Sequence, residues 1–320
     1  MMTGCCLALL FTGCKTGTSS ETSNIATAKS ITTIKQSNTT IPSYKTTDIT
    51  DIVFKKTGSM ELTLDVLQPT RRKFSKNPVI VLIHGGAWVS GDKASDLDML
   101  LPAINVMRSK GYAVVSTNYR LATSSVKFPL PVIDCADAVR WCVKNAAEYD
   151  FDTSKMGICG ASAGGYLSLM AGLAPETFTE DNDLKGIGYE LRYIIDVCGP
   201  AVLDINKTTV QSEYAKETLS YFMGGSPEKK PAAYQKANPM NYLNPSAPGL
   251  LIIHGKDDNT VPFEQSQLLY NEAQKMKMDA RLIGVNNAGH SFEPSGNTPV
   301  EPSLLEIFST ISDFIESKSK

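Results

Sequence analysis

Two hydrophobic rhythms alternate along this chain. Apolar runs at 78–83, 112–116, 156–159, 193–199, 249–254 and 280–285 have the look of buried strands, and between them apolar residues recur at helical spacing. The helical stretches lie near 95–109, 132–148, 166–172, 263–277 and 303–317. Ahead of the first run, 51–55 and 61–67 read as two strands joined by Thr57-Gly58-Ser59, which predicts an antiparallel hairpin at a sheet edge. Strands alternating with helices after that hairpin predict an α/β fold, a mainly parallel sheet with helices on both faces. Asp134 and Asp137, near the start of the second helix, suit its dipole. Residues 200–248 break the rhythm. They are polar, carry several prolines and lack strand character, which predicts a small cap over the strand ends.

The most informative stretch is Gly160-Ala161-Ser162-Ala163-Gly164, between a strand run and a helix run. A serine on so sharp a strand-to-helix turn takes a strained backbone conformation, and glycines two residues before and after make room for it. The hydroxyl then projects from the sheet edge, largely exposed, where a base can reach it. A serine hydroxyl is a weak nucleophile at neutral pH, so it needs a base in hydrogen-bond reach and a carboxylate to orient that base.

Three histidines can be considered. His84 heads His84-Gly85-Gly86-Ala87-Trp88, where two adjacent glycines after a strand bring backbone N–H groups close to a ligand, and its expected task is to fold that loop. His254 sits at a strand end, followed by Asp257, Asp258, Val261 and Pro262. His290, after Gly289, lies in a turn beyond the last strand and is free to lean over the sheet edge.

Ser162, an acidic pair after the next-to-last strand, and His290 follow the chain order of an α/β-hydrolase triad. With H-G-G-A-W at 84–88, G-A-S-A-G at 160–164, H-G-x-x-D-x-x-V-P at 254–262 and G-H at 289–290, residues 50–318 resemble the α/β-hydrolase esterase and lipase superfamily. Within it the chain is most similar to small-capped bifunctional feruloyl and acetyl-xylan esterases, and more distantly to hormone-sensitive-lipase-like carboxylesterases. The resemblance implies Ser162 as nucleophile, His290 as general base and then acid, and Asp258 as the orienting carboxylate. Asp257 remains the alternative acid, since a one-residue shift at a strand end turns a side chain to another face. The amides of Gly86, Ala87 and Ala163 would form the oxyanion hole, with Ala87 standing where the fuller motif has a third glycine. Trp88 would line the substrate pocket or simply pack. The expected activity is removal of acetyl, feruloyl or other small acyl groups from carbohydrate or related esters, with no cofactor or metal. A prolyl-oligopeptidase-like peptidase shares the triad and its order, but no propeller-like repeats precede the domain. A non-catalytic scaffold usually lacks a triad member, and here none is missing.

Composition narrows the partners. The 320 residues carry a formal net charge of -2, which offers no basic footprint for nucleic acid, and 42% hydrophobic residues suffice for a large core. At the N-terminus, the apolar run 7–11 is too short to span a membrane, and with Thr12-Gly13-Cys14 it resembles a lipoprotein signal segment (1–14) with Cys14 as the lipidated residue. Residues 15–47, rich in Ser and Thr, read as a flexible tether to a catalytic domain at 48–320. The expected location is the cell envelope, anchored to a bacterial membrane only through the lipid, or secreted. Cys135, Cys142, Cys159 and Cys198 lack C-x-x-C spacing, which argues against a metal centre. They are expected to be buried thiols, with a disulfide left open as the alternative. Oligomeric state has no signature in the sequence.

Overall fold

The computed structural model describes residues 47–95, 97–204 and 213–320. The signal segment with Cys14, the tether to residue 46, and 205–212 within the insertion lie outside the described residues. No helix among the described residues is long and apolar enough to cross a membrane.

Gly58 takes a positive φ of 59° in the tight turn between β1 (Ile49–Thr57) and β2 (Met60–Leu67), which pair antiparallel with Thr57 opposite Met60. β2 is also antiparallel to β4 (Ala113–Thr117). All further pairs are parallel: β4 with β3 (Asn77–Ile83), then β5 (Phe151–Ala161), β6 (Tyr193–Val197), β7 (Gly249–Gly255) and β8 (Ala280–Val285). The order across the eight-stranded sheet is β1-β2-β4-β3-β5-β6-β7-β8. The alternating runs are borne out as a mainly parallel α/β sheet with the hairpin at its edge, and the architecture is the α/β-hydrolase fold that the motif resemblance implies.

Because successive strand residues point to opposite faces, each buried strand feeds two cores. Val79, Val81 and Ile83 enter one, with α2 (Leu130–Lys144), α3 (Ala163–Leu173) and α6 (Glu264–Lys275); Ile80 and Leu82 enter the other, with α1 (Leu97–Ser109) and α7 (Leu304–Lys318). α7 opens with a capping box between Ser303 and Glu306.

Three expectations are corrected. β5 starts at Phe151, five residues ahead of its apolar run, because Phe151 and Asp152 pair with Asn77 and Pro78 before a register shift, a contribution of backbone hydrogen bonds that hydrophobicity does not reveal. Asp134 and Asp137 do not serve the α2 dipole. That helix begins at Leu130, and both carboxylates are buried in an ion cluster. Lys55 Nζ reaches each of them at 2.7 Å, Arg120 Nε reaches Asp134 at 2.7 Å and Arg140 reaches Asp137 at 2.7 Å. Glu180 completes the cluster through Lys55 and Arg120, so three cations face three carboxylates across β1, α2 and the chain after α3. Finally, the insertion is less polar than it reads. It contains α4 (Glu213–Met223), α5 (Pro231–Lys236) and a 3-10 turn, Pro239–Tyr242, and Leu219, Phe222 and Met223 of α4 belong to the first core.

Candidate active site

The C-terminal ends of the parallel strands deliver the candidate residues to one rim, where open α/β sheets present their sites. Ser162 occupies the turn between β5 and α3 with φ 55° and ψ -121°, a left-handed φ that a serine rarely adopts. The turn is tight because Gly164 lies directly on β3: a Cβ at Gly164 would meet the Ile83 carbonyl oxygen at 2.2 Å. Ser162 N–H donates to the Val197 carbonyl (2.8 Å), which ties the turn to β6. The serine is half-buried, less open than its sequence context suggests, because the insertion helix α4 lines the same cavity.

His290 leaves the chain after β8 and spans the gap. Its Nε2 is 2.9 Å from Ser162 Oγ and its Nδ1 is 2.6 Å from Asp258 Oδ2. Asp258, with a fully buried side chain, is the acid of this chain of hydrogen bonds. Asp257 is exposed and instead accepts a hydrogen bond from Ser295 Oγ, so of the two neighbours it is Asp258 that meets His290. The other Asp258 oxygen, Oδ1, accepts the N–H groups of Thr260 (2.7 Å) and Val261 (2.9 Å). Burial raises the pKa of this carboxyl, but the hydrogen bonds from His254, His290 and Val261 outweigh it and hold the group well below the usual carboxylate range. Burial pushes His290 the other way, yet the Asp258 carboxylate and the Cys198 side chain prevail and raise its pKa above the ordinary imidazole value.

The glycine loop after β3 faces this chain. Gly86 (φ 106°), Ala87 (φ 52°) and Trp88 (φ 64°) are three consecutive left-handed residues, and the Gly86 carbonyl accepts the N–H groups of Val89 and Ser90. A Cβ at Gly86 would meet the Ser90 carbonyl oxygen at 2.1 Å, so only glycine closes this turn. As expected, His84 works on the loop itself: its Nδ1 donates to the Gly85 carbonyl (2.7 Å) and its ring stacks on Tyr119 at 4.2 Å. Tyr119 Oη in turn donates to the His84 and Gly85 carbonyls, each at 3.2 Å.

Ala87, Trp88, Ser162 and Ala163 line one cavity of about 60 Å³, with Leu219 of α4 and Val261 also in its wall. Gly86 is not among the lining residues. Trp88 does both things foreseen for it, lining the cavity while its buried indole packs against Phe222 and Tyr166.

Residues 64–273 match the family model described as BD-FAE, about two thirds of the sequence. The chain belongs to the BD-FAE family. A solved truncated carbohydrate esterase from gut microbiota superposes on 85% of this BD-FAE chain and 96% of its own, with TM-score 0.66 and 26% identity. Esterase 2 of Thermogutta terrifontis covers 82% of this chain and 90% of its own, with TM-score 0.66 and 25% identity. Among curated proteins, Esterase LipC of Mycobacterium tuberculosis is 24% identical over 232 residues, 72% of this chain and 57% of that protein. The chain spans about half the length of the first curated relatives it matches.

Several site features of this BD-FAE chain were not legible in its sequence. His254, whose place at a strand end carries no role by itself, is fully buried with Nε2 3.0 Å from Asp258 Oδ2. Tyr119 and Phe222 support the glycine loop from segments distant in sequence, and no local pattern announces either. Cys198, at the end of β6 with φ 46°, places its Sγ 3.4 Å from the His290 carbonyl. Cys198, Asp258 and His290 offer ligand atoms within 4.8 Å of one another, a donor set suited to a soft divalent ion, although the Asp258–His290 hydrogen bond already engages two of them. Cys135, Cys142, Cys159 and Cys198 are all free thiols rather than disulfide partners. Burial raises the pKa of Cys142 well above the ordinary thiol value and that of Cys159 to about 12, so neither is a ready nucleophile.

Proposed function

We propose that this chain is a serine carboxylic-ester hydrolase that works through an acyl-enzyme and removes small acyl groups, acetyl foremost, from carbohydrate or related esters. The observation that carries the reading is the unbroken chain Asp258 Oδ2, His290 Nδ1, His290 Nε2, Ser162 Oγ at 2.6 and 2.9 Å. His290 takes the proton of Ser162 as its oxygen attacks the ester carbonyl, and Asp258 stabilises the imidazolium that forms. Negative charge on the carbonyl oxygen is met by the N–H groups of Gly86, Ala87 and Ala163, each such donor commonly contributing about 3 kcal/mol. The imidazolium returns the proton to the departing alcohol. Water, deprotonated by the same ring, then releases the acid and restores the hydroxyl.

The cavity beside Ser162 supports a small acyl group. At about 60 Å³ it is far below the roughly 300 Å³ where pockets for larger ligands begin, which favours an acetyl over a feruloyl group. Membership in the BD-FAE family and the likeness to a carbohydrate esterase support an acylated glycan as the alcohol side. The Thr12-Gly13-Cys14 signature supports residence in the cell envelope on a lipid anchor.

A substrate panel tests the reading. p-Nitrophenyl acetate and acetylated xylan should be hydrolysed, methyl ferulate poorly or not at all, and a proline anilide not at all. Cleavage of the anilide alone would sink it, and efficient ferulate release would sink the acyl-size argument. Palmitate labelling in a bacterial host, lost in Cys14→Ser, tests the anchor.

A further inference from the structure

His254 takes no part in the proton path just described, yet it is fully buried against the acid of that path. Its Nε2 faces two oxygens, Asp258 Oδ2 at 3.0 Å and the Val261 carbonyl at 2.8 Å. Both are acceptors, so this nitrogen carries the ring proton and shares it between them. Nδ1 faces Ser266 Oγ of α6 at 2.7 Å, and a hydroxyl can donate there. A neutral ring protonated on Nε2 therefore satisfies all three contacts. Phe263 closes the pocket edge-on, with ring centroids 5.8 Å apart.

We propose that His254 is a positioning residue for the reaction: held in one tautomer by the two acceptors at its Nε2, with Ser266 at its Nδ1, it locks the Asp258 carboxylate and limits the basicity that this carboxylate confers on His290. The inference rests on the ester-hydrolase reading above.

The carboxylate accepts from four groups, two on each oxygen. The amides of Thr260 and Val261 fix Oδ1, and the two imidazoles meet at Oδ2. Without His254, Oδ2 keeps a single partner, and the carboxylate is free to pivot about Oδ1 and move off the line toward Ser162. The electrostatic effect runs alongside. An N–H donor disperses the negative charge on Asp258, so the pull on a proton at His290 Nδ1 is weaker than an unshared carboxylate would exert. His290 is otherwise faced by Cys198 from the end of β6 and by Ser162 from the turn before α3. His254 is thus the element that both aims the acid and moderates it, four residues ahead of it in the chain.

The test uses the full chain and p-nitrophenyl acetate, with kcat, KM and the pH dependence of kcat/KM measured for wild type, His254→Gln and His254→Leu. Glutamine retains a donor near the Nε2 position and leucine retains only bulk. His254→Leu should lose kcat by roughly 10- to 100-fold, the size expected for a missing hydrogen bond to a charged group, with KM little changed and the acid limb moved to higher pH. His254→Gln should keep most of kcat and the wild-type limb. A folded His254→Leu with wild-type kcat and limb overturns the proposal, as does an equal loss in both variants with the limb unmoved, since that is the signature of packing alone. If His254→Leu does not fold, His254→Phe decides, since it keeps a ring in the pocket but offers Asp258 no donor: kcat should fall and the acid limb should move to higher pH, and a folded His254→Phe with wild-type kcat and limb overturns the proposal. Lack of turnover by wild type overturns both readings together, whereas an active wild type with insensitive variants overturns this one alone.

Discussion

The indole of Trp88 lies face to face with the ring of Phe222, centroids 4.6 Å apart and planes 7° from parallel. The stack joins the glycine loop after β3 to α4 of the insertion, so two sides of the cavity beside Ser162 are one packed unit. Phe222 is fully buried and also meets Tyr166 and Phe128 edge-on. Phe222→Ala should therefore cost about 3–5 kcal/mol in urea unfolding. It should also raise activity on p-nitrophenyl butyrate relative to acetate, because the space left lies behind Trp88. A wild-type ratio in a destabilised variant would show that the stack does not set acyl size.

Ser162→Ala should lower kcat by on the order of 10⁴-fold or more, leaving only what binding and the backbone donors supply. The unfolding midpoint should stay near wild type, since the turn is held by Gly164 against β3 and by the Val197 carbonyl rather than by the hydroxyl. A fluorophosphonate should label wild type at Ser162 and leave the variant unlabelled. Retained hydrolysis by pure variant would reject the assignment.

The pH dependence has a definite sign. Despite the opposing effect of burial, Asp258 and Cys198 raise the pKa of His290 above its ordinary 6.5, so the folded protein binds that proton more tightly than the unfolded chain. The stabilisation is complete below about pH 6.5 and is lost as pH rises through the folded value. Only the neutral ring can accept the Ser162 proton, so kcat/KM should climb through that same alkaline window, with its acid limb above 6.5. Asp258 acts at the other end. Its hydrogen bonds overcome burial and depress its pKa below 3.8, so its contribution is present above that pH and disappears as acid protonates it in the fold. A kinetic limb at or below 6.5 would contradict the pairing.

The ion cluster around Asp134 gives a stability prediction. Asp134 receives Lys55 Nζ (2.7 Å), Arg120 Nε (2.7 Å) and the Arg120 backbone N–H (3.0 Å), all buried. Asp134→Ala leaves buried cations short of a partner and should cost about 3–5 kcal/mol in urea unfolding. Activity should fall as well, because Arg120 follows Tyr119, whose hydroxyl braces the His84 and Gly85 carbonyls. A loss below about 1 kcal/mol would place the pair among weak surface bridges instead.

The legibility of this protein follows the range of the physics. Val79 to Ile83, Tyr193 to Val197 and Gly249 to Gly255 announce themselves as strands because burial on both faces demands apolar residues at successive positions, a constraint written locally. The turn at Ser162 is local too, since only glycine fits where α3 touches β3. β5 before Met156 was missed because its polar residues are held there by the neighbouring strand's backbone, and Asp134 was misread because its partners sit on β1 and after β4.

By itself, then, the amino-acid sequence determined the alternating strands and helices, the sharp turn that carries Ser162, and the order in which serine, acid and histidine leave the sheet. Tertiary structure alone decided that Asp258 rather than Asp257 meets His290, that His254 shares the same carboxylate oxygen, and that α4 lines a cavity of about 60 Å³ beside Ser162. The division has a physical basis: periodicity and backbone strain act between residues a few positions apart, whereas the direction of a carboxylate and the volume of a cavity depend on side chains that only the folded sheet brings together.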